Sequence, residues 1–508
     1  MRNKGLLTAG VALTVLAQAG TAIAQDAAAA SDEIIVTAER AGRTLRETAS
    51  SVVVTTADDA RRLAGTYSTN DLLARIPNMV LVEPGNDAPA VRGLDGTGPA
   101  AGATAFLAGT RPRLNYQVDG RTLSFNETLF GNASLWDMQQ IEVYRGPQST
   151  LQGRNAIAGV VAIKTADPTF EWQGAARGII GNREERQLSG AIGGPIAEGL
   201  AAVRLSADWR RSQSFATFSA YPGTSNPGRS DLKTFRGKLL LTPSPDIRSL
   251  WTLSYQDGRE PQGAVLRRPF EDHVAQTLPM PVFRSRTTMG ISDTVFQLSD
   301  SFALQAYFSA VDFRVDRYAP AGTGAARIDG REYVVQPILR YGSSDDRLSG
   351  FIAGYIFRTH QDETIDLFGG GGFRDETDTS AIFGEVTFKP APAVTLVAGA
   401  RYEEEKRQRS GAAGPFVTAF DETYREFLPK ATLSVNASDK VTLGVTAGRG
   451  YNAGGAGITF AAPFVNYTYD PEFVWNYEVF VRATVAPNVS VNANLFYNDF
   501  THRGRVKP

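Results

Sequence analysis

Two carboxylates and a guanidinium fall close together late in the first third of the chain, at Asp119, Glu142 and Arg145. Such a set could move protons, one carboxylate serving as acid or base while the arginine steadies developing charge. That chemistry needs partners the sequence does not supply. The only histidines, His273, His360 and His502, are scattered, and no nucleophile sits in a recognisable setting. Carboxylates beside arginines are more often ion pairs than catalysts, so no enzyme is expected. Cysteine is absent, which removes disulfides and thiolate metal sites; neither a metal site nor a cofactor is expected. A net charge of -1 argues against a nucleic-acid binder. The basic residues are mostly arginine, whose planar fork suits carboxylate or phosphate, although a GC-rich genome would give the same bias.

The elements that would carry these side chains begin with an export signal. Arg2 and Lys4 precede the apolar run 5–16, and Ala22-Ile23-Ala24 gives a small-residue cleavage pattern before Gln25. The run is too short to remain as a membrane helix, so residues 1–24 are expected to be removed. Beyond it no stretch of about twenty apolar residues occurs, which excludes a helical membrane protein. A closed barrel is the other way to pair every backbone group in lipid. Abundant Gly, Tyr and Phe suit such a barrel, and suit a large soluble β protein nearly as well.

Residues 25–42 read as a polar tether carrying Glu33-Ile34-Ile35-Val36-Thr37-Ala38. The small and β-branched residues between charges favour an extended strand with no core to join. Such a strand can add to another chain's sheet edge, although on its own it could be any edge strand. Residues 43–166 read as a mixed α/β domain. Ser68-Thr69-Asn70 would cap a short helix over 71–76 that Pro77 stops. Val91-Arg92-Gly93-Leu94, residues 115–120 and Gln140-Ile141-Glu142-Val143 read as strands. The segments 83–90 and 96–115 read as loops, the second carrying Arg111 and Arg113.

In that order, the leucines before Pro77, Val91-Arg92-Gly93, Val118-Asp119-Gly120 and Ile141-Glu142-Val143-Tyr144-Arg145-Gly146-Pro147 resemble the plug domain of TonB-dependent outer-membrane receptors. The resemblance implies a mostly β protein: an N-terminal α/β plug inside a transmembrane antiparallel β-barrel. It implies that Glu33 to Ala38 form a TonB box, paired by TonB and energised by ExbB and ExbD. It implies that plug arginines such as Arg92 and Arg145 meet glutamates on the barrel wall; the alternative is that they satisfy plug carbonyls. The expected function is import of a scarce nutrient across the outer membrane of a Gram-negative bacterium. A ferric siderophore is favoured on family grounds, with a carbohydrate or cobalamin-like ligand as the alternative. Outward plug loops are expected to touch it through Asn86, Asp87, Arg111, Arg113 and Tyr116.

Residues 167–508 carry the barrel pattern. Apolar residues at 201, 203, 205, 207 and 209 alternate with polar ones, as do those at 489, 491, 493, 495 and 497. Strands with one lipid face and one lumen face read this way. Short turns at 242–246, 390–393, 436–439 and 486–488 alternate with polar stretches such as 258–290 and 403–424, which read as long loops. Parity turns Glu385 and Glu478 inward, making them candidate partners for plug arginines. Arg449 stands near where some siderophore receptors carry a second glutamate, which puts a complete two-by-two lock in doubt.

Family barrels have twenty-two strands; the length here leaves room for about fourteen. Residues 500–508 are basic and do not read as a strand. The expectation is a chain cut inside its barrel, or a non-functional fragment of one.

Overall fold

Runs such as Val52-Val53-Val54-Thr55-Thr56 and Val160-Val161-Ala162-Ile163 favour a buried sheet, and in the folded chain they lie in one. A computed structural model describes residues 35–36, 43–63, 68–81, 88–98, 112–130, 133–154, 156–263, 265–276, 279–343, 345–458, 464–486, 489–501 and 506–507. The first strands are β1 (Ile35–Val36), β2 (Arg43–Thr44), β3 (Val52–Thr56), β4 (Met79–Val80) and β5 (Ala90–Val91). They are followed by β6 (Leu114–Val118), β7 (Arg121–Thr122), β8 (Met138–Arg145) and β9 (Gly159–Thr165). One sheet has the order β3-β8-β9-β6-β7, with β6 and β9 parallel.

Two short helices pack on that sheet, α1 (Ala57–Arg62) and α2 (Thr69–Leu73), while α3 (Phe125–Phe130) and α4 (Ser149–Gln152) lie against strands that come later in the chain. The Ser68 hydroxyl accepts from the Asp71 amide, and the Asp71 carboxylate accepts from the Ser68 amide at 2.8 Å. This reciprocal cap starts α2 at Thr69 and leaves its apolar face, Leu72 and Leu73, in the core. Val91, Leu114, Ile141, Val143 and Val161 complete that core, all buried. β6 at 114–118 agrees with the strand read at 115–120 and takes only residues 114–115 from the segment read as a loop.

The remaining strands form a wall. It begins with β10 (Gln173–Ile180), β11 (Arg186–Ala197), β12 (Ala201–Gln213), β13 (Arg229–Ser244) and β14 (Ile247–Pro261). It continues through β15 (Val282–Ser299), β16 (Phe302–Tyr318), β17 (Ala325–Tyr341), β18 (Leu348–Asp366) and β19 (Gly371–Ala391). Next come β20 (Val394–Ala413), β21 (Phe416–Ser438), β22 (Val441–Asn452), β23 (Gly455–Ile458) and β24 (Asn466–Tyr469). The last are β25 (Glu472–Ala486), β26 (Val489–Thr501) and β27 (Val506–Lys507).

Fifteen of these make a single antiparallel sheet in chain order, from β10 to β22 and then β25 and β26. The count among the described residues is thus close to the fourteen or so expected. Among the described residues the end strands β10 and β26 do not pair with each other, so the cylinder is not closed. β23, β24 and β27 form a separate small sheet. The chain's last residues therefore do include a short strand, contrary to the reading of 500–508.

Connections on one rim are brief, at 198–200, 245–246, 300–301, 392–393 and 439–440. On the other rim, 214–228, 262–281 and 453–471 are long, whereas β20 and β21 rise as a tall hairpin turning at 414–415. Residues 403–424, read as a loop, belong to that hairpin, and of the stretch 258–290 only 262–281 lies outside the long wall strands. Side chains alternate as strand geometry demands. Leu253, Ile352, Ile382, Tyr402 and Phe427 face outward and are exposed, while Lys238, Arg401 and Arg409 face inward and are buried. Higher on the outward face, charges pair across strands: Arg358 with Asp378 at 3.3 Å and Arg425 with Glu404 at 2.6 Å.

Candidate functional site

The chemistry concentrates where the inner domain meets the wall. β1 lies antiparallel to β2, with Val36 opposite Arg43. Val36 is fully buried beside Val52, Tyr144 and Val160, which is the fate expected of a β-branched residue offered an apolar groove. Glu33, Ile34, Thr37 and Ala38 lie outside the described residues, as do residues 1–24.

Arg43 forms an ion pair with Glu385 on β19 and donates to the Thr387 hydroxyl at 2.9 Å. Parity puts Glu385 on the inward face, where it is 2% exposed. Arg46 donates to the Ser438 carbonyl at 3.2 Å, and Arg482 on β25 donates to the Ser50 carbonyl at 3.0 Å.

Higher up, Arg92 Nη1 lies 2.6 Å from Glu478 Oε1, both side chains 4% exposed. The Arg92 guanidinium also covers the Phe496 ring at 3.9 Å, and Asn494 donates to the second Glu478 oxygen at 2.9 Å. A buried charge needs this degree of pairing, because stripping its water costs several kcal/mol. Gly146 makes room for it: with φ +114°, an added Cβ would sit 3.0 Å from Arg92 Nη1 and 3.2 Å from Glu478 Oε1. Arg113 adds a bidentate pair to Glu472, at 2.7 and 2.6 Å. Burial opposes the Arg113 charge, but Glu472 and Asp95 hold its pKa above the ordinary value.

The opposite side is held by later residues of the inner domain. Asp137 accepts from Arg204 on β12 through both oxygens at 3.0 Å, and Ser134 bonds Asp208 at 2.5 Å. Lys238 on β13 lies 3.2 Å from Asp119 and 2.9 Å from Asp167. Arg121 joins Glu127 at 2.6 Å and Glu332 on β17 at 3.0 Å. Asp119 is buried, which raises its pKa, yet Lys238, Lys164, Arg236 and the Thr165 bond bring it below the usual carboxylate range. Asp119 is thus a structural anion.

Of the wall partners named from sequence, Arg92 and Glu478 meet each other. Glu385 meets Arg43, which had been placed at a domain boundary and given no role. Among the described residues Arg145 makes no ion pair with a wall glutamate: its Nη1 donates to the Pro77 carbonyl at 3.0 Å, and burial and the Arg92 cation lower its pKa although Glu478 opposes them. Arg113 and Tyr116 were expected at a ligand face. Arg113 is spent on Glu472, and Tyr116 lies in the inner-domain core, where burial raises its hydroxyl pKa. Asn86, Asp87 and Arg111 lie outside the described residues. Glu472 was missed, although it shares the inward parity of Glu478. Arg449 pairs with Glu426 on the neighbouring strand at 3.3 Å, so it makes no lock with the inner domain through that contact.

Comparison with known proteins agrees with this architecture. A family described as "TonB dependent receptor-like, beta-barrel" matches residues 234–503, and one described as "TonB-dependent Receptor Plug Domain" matches residues 44–160. The pesticin receptor of Yersinia pestis is 33% identical over 89 residues, which span 18% of this chain and 13% of that relative. The ferrioxamine B receptor of Salmonella typhimurium is 35% identical over 80 residues, spanning 16% and 11%. Among solved structures, the ferric yersiniabactin uptake receptor FyuA from Yersinia pestis superposes with a TM-score of 0.77 at 19% identity, covering 89% of this chain and 72% of that one. The alcaligin outer-membrane receptor FauA from Bordetella pertussis gives 0.70 at 16% identity, covering 90% and 72%.

Proposed function

The chain belongs to the TonB-dependent receptor family of the outer membrane, and on that footing we propose that it takes up a ferric siderophore from outside the cell. Residues 1–24 would direct export, 25–42 would hang as a tether in the periplasm, and 43–166 would stopper the sheet that follows. TonB, energised by ExbB and ExbD, would pair with residues 33–38 and pull. We read the protein as a receptor and transporter with no reaction of its own.

The observation that carries this reading is the set of buried ion pairs between plug and wall, above all Arg92 with Glu478. Paired charges at a buried interface hold a stopper firmly and yet can be parted and rejoined without an apolar face meeting water. The outer membrane has no energy supply of its own, so work delivered through a strand is a physically sensible way to part them. The names of the relatives, receptors for ferrioxamine B and ferric yersiniabactin among them, support an iron chelate as cargo.

Uptake of iron-55 bound to ferrioxamine B or to yersiniabactin tests the proposal in cells with and without TonB. Accumulation that needs both this protein and TonB is expected. Induction and uptake with a carbohydrate or cobalamin, and no response to iron chelates, would replace the cargo assigned here.

A further inference from the structure

Over much of the wall the outward side chains are large: Ile352 and Ile356 on β18, Ile382 on β19 and Phe427 on β21 all stand exposed. β15 differs. Strand parity turns Thr288, Gly290, Ser292 and Thr294 outward, and Gly290 lies between Leu253 on β14 and Ala310 on β16. Bulky neighbours rise on either side of it, Trp251 and Leu253 from β14 and Phe308 from β16. Between them lies a groove of about 420 Å³ on the outer face, which Gly237 and Ala310 also border. A Cβ added to Gly290 would meet nothing within 4 Å. In hydrocarbon such a groove takes an alkyl chain, because atoms without neighbours forfeit their dispersion contacts.

Toward the long-loop rim the groove runs into a belt of charge. Lys233, Asp257, Arg286 and Arg314 form one row across β13–β16, four residues above Gly290 on β15. Arg286 stands thirteen residues from the end of β15 at Ser299. At a rise of about 3.4 Å per residue and a tilt of about 45°, that is about 30 Å from the short-turn rim. The apolar band of such walls is about 25 Å tall, and their short turns face the periplasm. The belt therefore lies among the head groups of the outer leaflet. Its carboxylates do not cover its cations. Asp257 is taken by Arg284 through both oxygens, at 2.9 and 2.7 Å, and Lys233 beside it is exposed. Asp316 is shared between Arg286 at 2.5 Å and Arg327 at 2.7 Å. Arg286 Nε, although buried, has no hydrogen-bond partner among the described residues. Arg314 with Asp329 and Arg331 with Asp312 are balanced pairs, so positive charge is left over on both flanks of the groove.

We propose that the outer face of β13–β17 binds one molecule of a phosphorylated, acylated sugar lipid of the outer leaflet. One acyl chain lies in the groove over Gly290, and a phosphate takes the surplus charge of Lys233, Arg286 and Arg327. The planar fork of a guanidinium matches phosphate oxygens in pairs, and a basic residue at membrane level strengthens binding of an anionic head about fivefold. The groove alone would take any alkyl chain, and the belt alone any anion. Together they choose a lipid that carries both at the height of this leaflet. The site is separate from the plug and does not depend on which cargo is carried.

Native mass spectrometry of the full-length protein in detergent, titrated with hexa-acylated lipid A bearing both phosphates, tests it. One molecule should stay bound to each chain. Gly290→Leu, which builds into open space, should weaken retention about tenfold, the loss of roughly two methylenes of chain contact. Gly290→Ser, too small to fill the groove, should retain the lipid like the unsubstituted protein. Lys233→Gln with Arg327→Gln should weaken it about thirtyfold, and lipid A stripped of its phosphates should bind as poorly to the unsubstituted protein. An excess of dioleoyl phosphatidylglycerol, which is anionic but carries no acylated sugar, should not displace the bound molecule. Undiminished retention by Gly290→Leu, equal binding of the stripped lipid, or displacement by phosphatidylglycerol would overturn the proposal. Should Gly290→Leu not fold, Ala310→Leu fills the same groove from β16 and is judged in the same way.

Discussion

In the plug, Leu72, Leu73, Ile141 and Val161 are hidden from solvent; in the wall it is Lys238, Arg401 and Arg409 that are hidden, while Leu253, Ile352 and Tyr402 face outward. Both regions obey one rule, that each side chain goes to the medium in which its transfer free energy is lowest. The plug has water or protein around it and makes an apolar centre. The wall has lipid outside and a polar plug inside, so its charges turn inward and must find partners there. The difference teaches that polar pairs between the two regions are the counterpart of the plug's core, the place where burial is made tolerable.

The largest effect should come from breaking one such pair. Arg92→Ala leaves Glu478 buried with only amide partners and should cost about 3–5 kcal/mol of plug attachment. Accelerated proteolysis of the plug in detergent would report it, with partial rescue by adding Glu478→Gln. No acceleration would mean that the pair is not what holds the regions together. Next, Leu73→Ala removes a fully buried side chain from the plug core and should cost about 2–5 kcal/mol, read as a lower plug melting temperature. Leu253→Arg tests the inverse arrangement. Facing outward from β14, it should cost about 2–4 kcal/mol if it lies at the middle of the bilayer, read as lost folding into lipid vesicles, whereas a soluble sandwich would tolerate it.

The smallest effect is a matter of pH. The Asp119 carboxyl has a folded pKa below its ordinary value of 3.8. Its contribution is therefore present above that value and is lost as pH falls from it through the folded pKa. Acid should loosen the plug from Lys238 in that window, and Asp119→Asn should flatten the dependence measured by plug proteolysis.

How much of this was legible depended on whether one face of an element was apolar. The cap at Ser68, the strands around Ile141 and the short turns declare themselves, and parity correctly turned Glu385 and Glu478 inward, where both are buried. The hairpin over 403–424 escaped notice because both of its faces are polar: Glu403, Glu405, Arg407 and Arg409 point in, while Glu404 and Lys406 point toward the outside. Period-2 hydropathy vanishes there although the backbone is fully paired. The wall contacts of Arg43 and Arg113 were not legible for a different reason. A guanidinium reads the same in sequence whether it awaits a ligand or clasps a glutamate more than three hundred residues away, as Arg113 does with Glu472. Only the register of the wall decides between them.

The tall hairpin has a consequence for the surroundings of the cell. β21 is 23 residues long, about twice what a tilted strand needs to cross a bilayer. Its upper part therefore stands clear of hydrocarbon, and there Arg425 with Glu404, like Arg358 with Asp378 across β18 and β19, replaces grease as the decoration of the exterior. Such exposed pairs are screened within about 10 Å at 0.1 M salt. A rise in ionic strength should thus let the crest breathe, seen as faster amide exchange near residue 415, while the girdle below keeps its protection. The molecule would sense the saltiness of its habitat at its summit alone.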